Sequence, residues 1–191
     1  MIYIIRHGQT EQNNRKLLAG HGDYLLNQAG IDQAMEAGRW FASRSIRFDE
    51  VYSSPLRRAL DTADYVAPGV PVTIDSRLIE MCFGPYEGMD LTKPLPEVVT
   101  FFQDFEHNPA PEGMETLASV TARLGSLLEE LKEKADRNIL LSTHAIAMKG
   151  ALTWLNRGCG ESFWPKFIDN CAVYTTEPGR DGVYTPPVQI R

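Results

Sequence analysis

Three apolar, β-rich stretches of this chain run straight into a cation. They are Ile2-Tyr3-Ile4-Ile5-Arg6-His7-Gly8, the run from Val51 through Ser54-Pro55-Leu56-Arg57-Arg58, and Ile139-Leu140-Leu141-Ser142-Thr143-His144. In an open α/β sheet the carboxyl ends of the strands share one edge, and ligands bind there. Segments far apart in sequence would then place two histidines and two or three arginines around one point. The chain as a whole has a formal net charge of -6, so such a pocket reverses the local sign. A small, strongly anionic ligand suits it, with phosphate the first candidate.

The elements that must position these residues are legible in the apolar pattern. Residues 2–6 predict a buried strand, followed by a glycine turn and a polar loop from Gln9 to about Leu26. Asn27 can cap a helix over roughly 28–44, where Ile31, Ala34, Met35, Gly38, Phe41 and Ala42 fall at helical spacing. Val51–Ser53 reads as a strand. Ser54-Pro55 then predicts a cap and a first-position proline, opening a helix to about Val66. Further strands are expected at Val70–Ile74, Ile139–Ser142, Ala172–Thr176 and in the tail beyond Pro178. Residues 117–131 and about 145–155 predict helices, the first with Leu117, Val120, Leu124, Leu127, Leu128 and Leu131 on one face. This alternation implies a three-layer α/β/α sandwich with a mostly parallel central sheet, in one domain spanning 1–191. Residues 81–114, with five prolines and the aromatics Phe101, Phe102 and Phe105, interrupt it. A long excursion of this kind reads as a helical lid or binding insert, or as a subdomain that covers the sheet.

Composition narrows the class. The 43% apolar content of these 191 residues supports a core of useful size. No run approaches the roughly 20 apolar residues that span a bilayer, and the acidic balance disfavours nucleic acid. No basic leader precedes the first strand. The cysteines Cys82, Cys159 and Cys171 show no CxxC spacing and read as ordinary thiols of a reducing compartment. A cytoplasmic location is the expectation. No DxD, HExxH or paired Cys/His set predicts a metal; Asp104, Glu106 and His107 read as one polar stretch, and His21 receives no catalytic role.

Several segments resemble the histidine phosphatase superfamily, the group that includes phosphoglycerate mutases. Arg6-His7-Gly8-Gln9-Thr10 with Asn13 is similar to its Arg-His-Gly signature. Gly20 through Gly30 with Gln33-Ala34 resembles its loop-to-helix passage, and Ser54-Pro55-Leu56-Arg57-Arg58-Ala59 with Thr62-Ala63 its second arginine motif. Leu78, Glu80, Phe83-Gly84 and Glu87-Gly88 resemble its acid motif, and Ser142-Thr143-His144-Ala145 its second histidine. Five ordered motifs, over residues 1–88 and about 113–155, carry far more weight than a lone Arg-His-Gly. The resemblance implies a phosphoglycerate mutase-like fold and catalysis without metal or cofactor.

It also implies roles. His7 would attack phosphorus through a ring nitrogen, for which the imidazole must be neutral, and nearby arginines favour that form. Arg6 and one of Arg57 or Arg58 would grip the phosphoryl oxygens, since a guanidinium fork binds two at once. Helical geometry does not separate Arg57 from Arg58; the family spacing selects Arg58. His144, as an imidazolium, and the amide of Ala145 at a helix start would offset charge on the same oxygens. Asn13 would add a hydrogen bond, or serve only as a turn residue. Glu80 would be the general acid and then the general base, with Glu87 structural.

The expected activity is hydrolysis of a small phosphomonoester through a phosphohistidine on His7, by a monomer or homodimer. A phosphoglycerate mutase must hold a second anionic group, yet between Met89 and Ala122 the chain offers only Lys93 among many carboxylates. A non-catalytic phospho-ligand binder is the remaining alternative, although every proposed position carries a competent side chain.

Overall fold

Ile2, Ile4, Ile139 and Leu141 lie in one buried apolar cluster, and Tyr3, Ile5 and Leu140 in another. This is the period of two that strands impose on the two faces of a sheet. The structure is a computed structural model and describes residues 1–157, 162–179 and 182–191. Its strands are β1 (Ile2–Arg6), β2 (Glu50–Ser53), β3 (Val72–Ile74), β4 (Ile139–Thr143), β5 (Val173–Thr176) and β6 (Val188–Gln189). They form one sheet in the order β3-β2-β4-β1-β5-β6. The pairs β3·β2, β2·β4 and β4·β1 are parallel, whereas β5 and β6 join antiparallel.

The helices are α1 (Glu11–Asn14), α2 (Gln28–Ser43), α3 (Arg57–Val66), α4 (Pro96–Gln103), α5 (Leu117–Leu131) and α6 (Ala145–Leu155). Ala34, Ala37 and Phe41 of α2 and Ala63 and Val66 of α3 pack with Tyr3, Ile5 and Val51 on one face of the sheet. Leucines of α5, Ala147, Met148 and Leu152 of α6, and Val98 and Phe101 of α4 pack with Ile2 and Ile4 on the other. The mostly parallel α/β/α sandwich expected from the alternation is therefore the observed architecture. Among the described residues no helix is long and apolar enough to cross a membrane.

The local departures have physical reasons. The loop after β1 contains α1, because Thr10 caps it and Asn13 returns the bond in a capping box. Ser54 does not cap α3. That helix starts at Arg57, with Leu56 at the cap position, and Asp23 reaches across the loop to accept the Arg57 amide at 2.7 Å. The third strand begins at Val72 rather than Val70. Within 81–114, α4 buries Phe101, while Phe102 and Phe105 contact it and each other at ring separations of 5.0–5.5 Å. The aromatic cluster packs the excursion onto the sheet. Cys82 and Cys171 are free thiols, and Cys159 lies outside the described residues.

One backbone contact fixes the loop after β1. A Cβ on Gly8 would lie 2.4 Å from the Gly30 carbonyl oxygen, and a Cβ on Gly30 would lie 2.0 Å from the Gln9 carbonyl oxygen. Both obstacles are backbone, so neither can swing aside. Within a helix, alanine gains about 1 kcal/mol over glycine, whereas overpacking costs roughly 1–3 kcal/mol. Gly30→Ala is therefore expected to lower the urea midpoint despite its better helix propensity. A raised midpoint would show that the loop yields freely to α2.

Candidate active site

Register brings the first groups together. Arg6 pairs with Thr143 at the end of β1·β4, so His7 and His144 both follow directly from paired residues. The His7 amide continues the ladder to the Thr143 carbonyl at 2.9 Å, and the two imidazole centroids lie 5.1 Å apart. Ser53 pairs with Ser142, which places Ser54 and the start of α3 at the same edge.

His7 is buried, with Nδ1 2.6 Å from the Gly8 carbonyl oxygen and Nε2 3.3 Å from Nε of Arg58. A carbonyl only accepts, so Nδ1 carries the hydrogen and Nε2 keeps a lone pair. Burial, and then the charges of Arg58 and Arg6, hold the imidazole well below its ordinary pKa. His7 is thus neutral at neutral pH, as a nucleophile requires.

Arg58 is 1% exposed. Its Nη1 and Nη2 donate to the carbonyls of Gly22 and Gly20 at 2.7 and 2.8 Å. Gly20 suits this role because its φ is +50° and Glu87 occupies the space a side chain would need. Thr62, one turn along α3, accepts from the Gly8 amide and donates to the Arg58 carbonyl, tying the nucleophile's loop to the helix. Arg57 points outward, 58% exposed, and pairs with Asp61 at 3.6 Å. The two arginines that helical geometry left undistinguished are thereby separated.

Arg6 is buried and donates through Nη1 to the Ile168 carbonyl, while its Nε has no partner among the described residues. Asn13 spends its side-chain oxygen on the Thr10 amide at 3.1 Å, so the capping role joins the expected one.

One expectation changes at the start of α6. His144 is fully buried, and burial followed by the Arg58 charge holds it well below its ordinary pKa. In the free protein it is a neutral imidazole, not an imidazolium. Its Nε2 lies 2.7 Å from the Ser54 hydroxyl, and its Nδ1 has no partner among the described residues. The next two helix amides, those of Ile146 and Ala147, donate to Oε2 and Oε1 of Glu80 at 3.3 and 2.9 Å. Glu80 is itself buried, and Oε1 also accepts from the Met81 amide. Glu87 accepts from the His21 amide at 2.9 Å, in keeping with a structural role.

Sequence reasoning missed four supports. His21 brings Nε2 to 2.8 Å from the Glu80 carbonyl oxygen. Arg123 of α5 donates to the carbonyls of Arg77 and Ile79, and Thr143 to that of Leu78, so the segment leading to Glu80 is held from two sides. Asn170 donates to the His7 carbonyl at 2.9 Å. Because β5 is antiparallel, its entrance lies at the same edge as the exits of the parallel strands; that signal was available once its direction was known. A cavity of about 800 Å³ between α2 and α3 contains none of these residues.

Comparison with known proteins finds relatives across most of the chain. A model of the histidine phosphatase superfamily (branch 1) matches residues 2–185. A broad-specificity phosphatase of Saccharomyces cerevisiae is 33% identical over 159 residues, 81% of this chain and 69% of the relative. The glucosyl-3-phosphoglycerate phosphatase of Mycolicibacterium vanbaalenii is 33% identical over 177 residues, 86% and 77% of the two chains. The crystal structure of phosphoserine phosphatase from Entamoeba histolytica with 3-phosphoglyceric acid superposes with a TM-score of 0.81 at 27% identity, covering 100% of this chain and 94% of the other.

The two neutral, buried imidazoles carry a stability consequence. Their native pKa values lie below the unfolded value near 6.5, so below that pH the unfolded state binds protons that the native state refuses. Stability is full above about pH 7 and falls as pH drops from about 6.5 to 5, by up to about 1.4 kcal/mol per pH unit for each histidine. Urea titrations across that range should show the slope, and His144→Ala should reduce it. A flat profile would mean that the histidines take up protons as readily in the native state as in the unfolded one.

Proposed function

The chain belongs to branch 1 of the histidine phosphatase superfamily, and on that premise we propose that it hydrolyses a small phosphomonoester through a phosphohistidine on Nε2 of His7. The observation that carries this reading is the lone pair of buried His7 Nε2, which Arg58 contacts, together with two buried nitrogens that have no partner among the described residues, Arg6 Nε and His144 Nδ1. In the first step Nε2 attacks phosphorus and the bond to the leaving oxygen breaks. Glu80, entering as the carboxylic acid, protonates that oxygen. Glu80, now a carboxylate, then takes a proton from water as the water oxygen attacks phosphorus. The P–N bond breaks, and inorganic phosphate and free His7 result. Arg6, Arg58, Asn13, His144 and the Ala145 amide stabilise the charge that builds on the equatorial oxygens.

Hydrolysis is favoured over mutase chemistry by the 89–114 segment that covers the sheet. Its one lysine, Lys93, is exposed on the surface, so nothing cationic in that cover is buried to grip a second anionic group. A phosphate-release panel that begins with phosphoserine and glucosyl-3-phosphoglycerate, after the relatives' names, identifies the substrate. Fast conversion of 3-phosphoglycerate to 2-phosphoglycerate with its bisphosphorylated primer, and little free phosphate, would replace this reading with the mutase.

The residue roles give sharp expectations. His7→Ala should abolish turnover and the acid-labile phosphoenzyme trapped by rapid quench; substantial remaining activity would refute the nucleophile. Arg58→Ala should cost about 10²–10³ in rate as a lost charge clamp, while Arg57→Ala stays near wild type; the reverse order would reassign the clamp. Glu80→Gln should cost roughly 10²–10⁴ on alkyl phosphates and far less on nitrophenyl phosphate, whose leaving group needs no proton. Equal losses on both substrates would remove Glu80 from the acid role.

A further inference from the structure

We propose that Ser54 is a positioning residue that holds His144 as its Nδ1-protonated tautomer, so that His144 offers the phosphoryl group a neutral N–H. The inference rests on the phosphatase reading for what that N–H contacts; the tautomer is a property of the free protein. Ser54 and His144 are both completely buried, and Ser54 Oγ is the one hydrogen-bond partner of the ring among the described residues, at 2.7 Å from Nε2. Ser54 Oγ also accepts from the Leu56 amide at 3.3 Å.

The kind of group left unmet separates the tautomers. A serine hydroxyl has one hydrogen and two lone pairs, and the Leu56 amide occupies one lone pair. Either tautomer then forms two hydrogen bonds around Ser54 Oγ. If Nε2 carried the imidazole hydrogen, it would donate to the second lone pair, and the serine hydrogen and the Nδ1 lone pair would both stay unmet inside the protein. If Nδ1 carries the hydrogen, the serine O–H donates to Nε2, and what stays unmet is the Nδ1 N–H and a second lone pair on an oxygen that already accepts from Leu56. An acceptor oxygen with one lone pair filled costs less than a nitrogen whose single lone pair is unmet, which favours the second arrangement. A phosphoryl oxygen, which only accepts, can pair with Nδ1 only in that arrangement.

The third possibility, an imidazolium, is opposed by burial and by the positive charges of Arg58, Arg6 and Arg123 around the ring. Ser54 is thereby drawn away from the helix cap its sequence position predicts. Asp23 takes over the Arg57 amide, which frees the serine hydroxyl to face the histidine.

Long-range ¹H–¹⁵N correlation spectra of ¹⁵N-histidine-labelled protein near pH 7.5, with His144 assigned through His144→Asn, test the proposal directly. The wild-type signal should show Nδ1 protonated; Nε2 protonated would overturn the proposal while leaving phosphate release by the same sample intact. Ser54→Ala should shift His144 toward the other tautomer and lower kcat about 10–100-fold, the range for partners that orient a functional histidine. Ser54→Thr should restore the wild-type pattern and most of the rate. An alanine variant with the wild-type tautomer and rate would exclude the positioning role. Should Ser54→Ala fail to fold, Ser54→Cys keeps the volume with a weaker donor and is read in the same way. Absence of hydrolysis on every phosphoester, with the Nδ1 pattern present, would sink the enzymatic reading but not the tautomer.

Discussion

The parallel pairing of β1 with β4 is the constraint on which the rest of the structure depends. Its last rung joins Arg6 to Thr143, and the next residue on each strand is a histidine. The same register sorts Ile2 and Ile4 to one core and Tyr3 and Ile5 to the other. A slip by one residue would send every one of these side chains to the wrong face. Burying a large apolar side chain contributes about 1.5–3 kcal/mol as an upper figure. Seven such residues in β1 and β4 outweigh the several kcal/mol that each buried ion costs. Core sorting, not attraction between the functional groups, brings the two imidazoles side by side.

Around them the charge is held in an unusual way. Arg58 is fixed by the carbonyls of Gly20 and Gly22, and Arg6 by that of Ile168. Among the described residues neither forms an ion pair of its own. Elsewhere arginines are paired: Arg123 with Glu115 and Arg77 with Asp75. A carbonyl satisfies the geometry of an N–H without cancelling the charge, so the positive field remains available to a substrate anion. The segment before β5 supplies much of this harness. It gives the Ile168 carbonyl to Arg6, the Asn170 amide to His7 and the Trp164 carbonyl to Lys149 at 2.6 Å.

The legible part of the molecule was the part in which one residue type does one job. The apolar runs of β1 and β4, the leucine face of α5 and the start of α6 were readable because burial alone determines them. So was the meeting of His7, Arg6 and His144, which follows from strand ends sharing an edge. The choice between Arg57 and Arg58 was not readable from helical spacing. It depends on carbonyls of residues 20 and 22, some 36–38 positions away. Ser54 misled because a serine before a proline is a good cap, and only the tertiary neighbour His144 outbids that local use. Asn170 stayed hidden because its importance follows from the antiparallel direction of β5, which no periodicity in a four-residue strand reveals.

The division of labour between residue types follows from what burial does to each. A guanidinium starts so far above neutrality that Arg6 and Arg58 stay charged although burial lowers both. An imidazole starts near 6.5, so the same burial beside those cations leaves His7 and His144 neutral. Lys149 marks the boundary, pushed down to about 8 by burial, where an amine begins to lose its charge near physiological pH. A lysine in place of Arg58 would therefore supply less charge and one geometry fewer. The site needs fixed charge and neutral nitrogen within a few ångströms of each other. Arginine and histidine meet both needs in one buried environment, because that environment moves their protonation in the same direction from very different starting points.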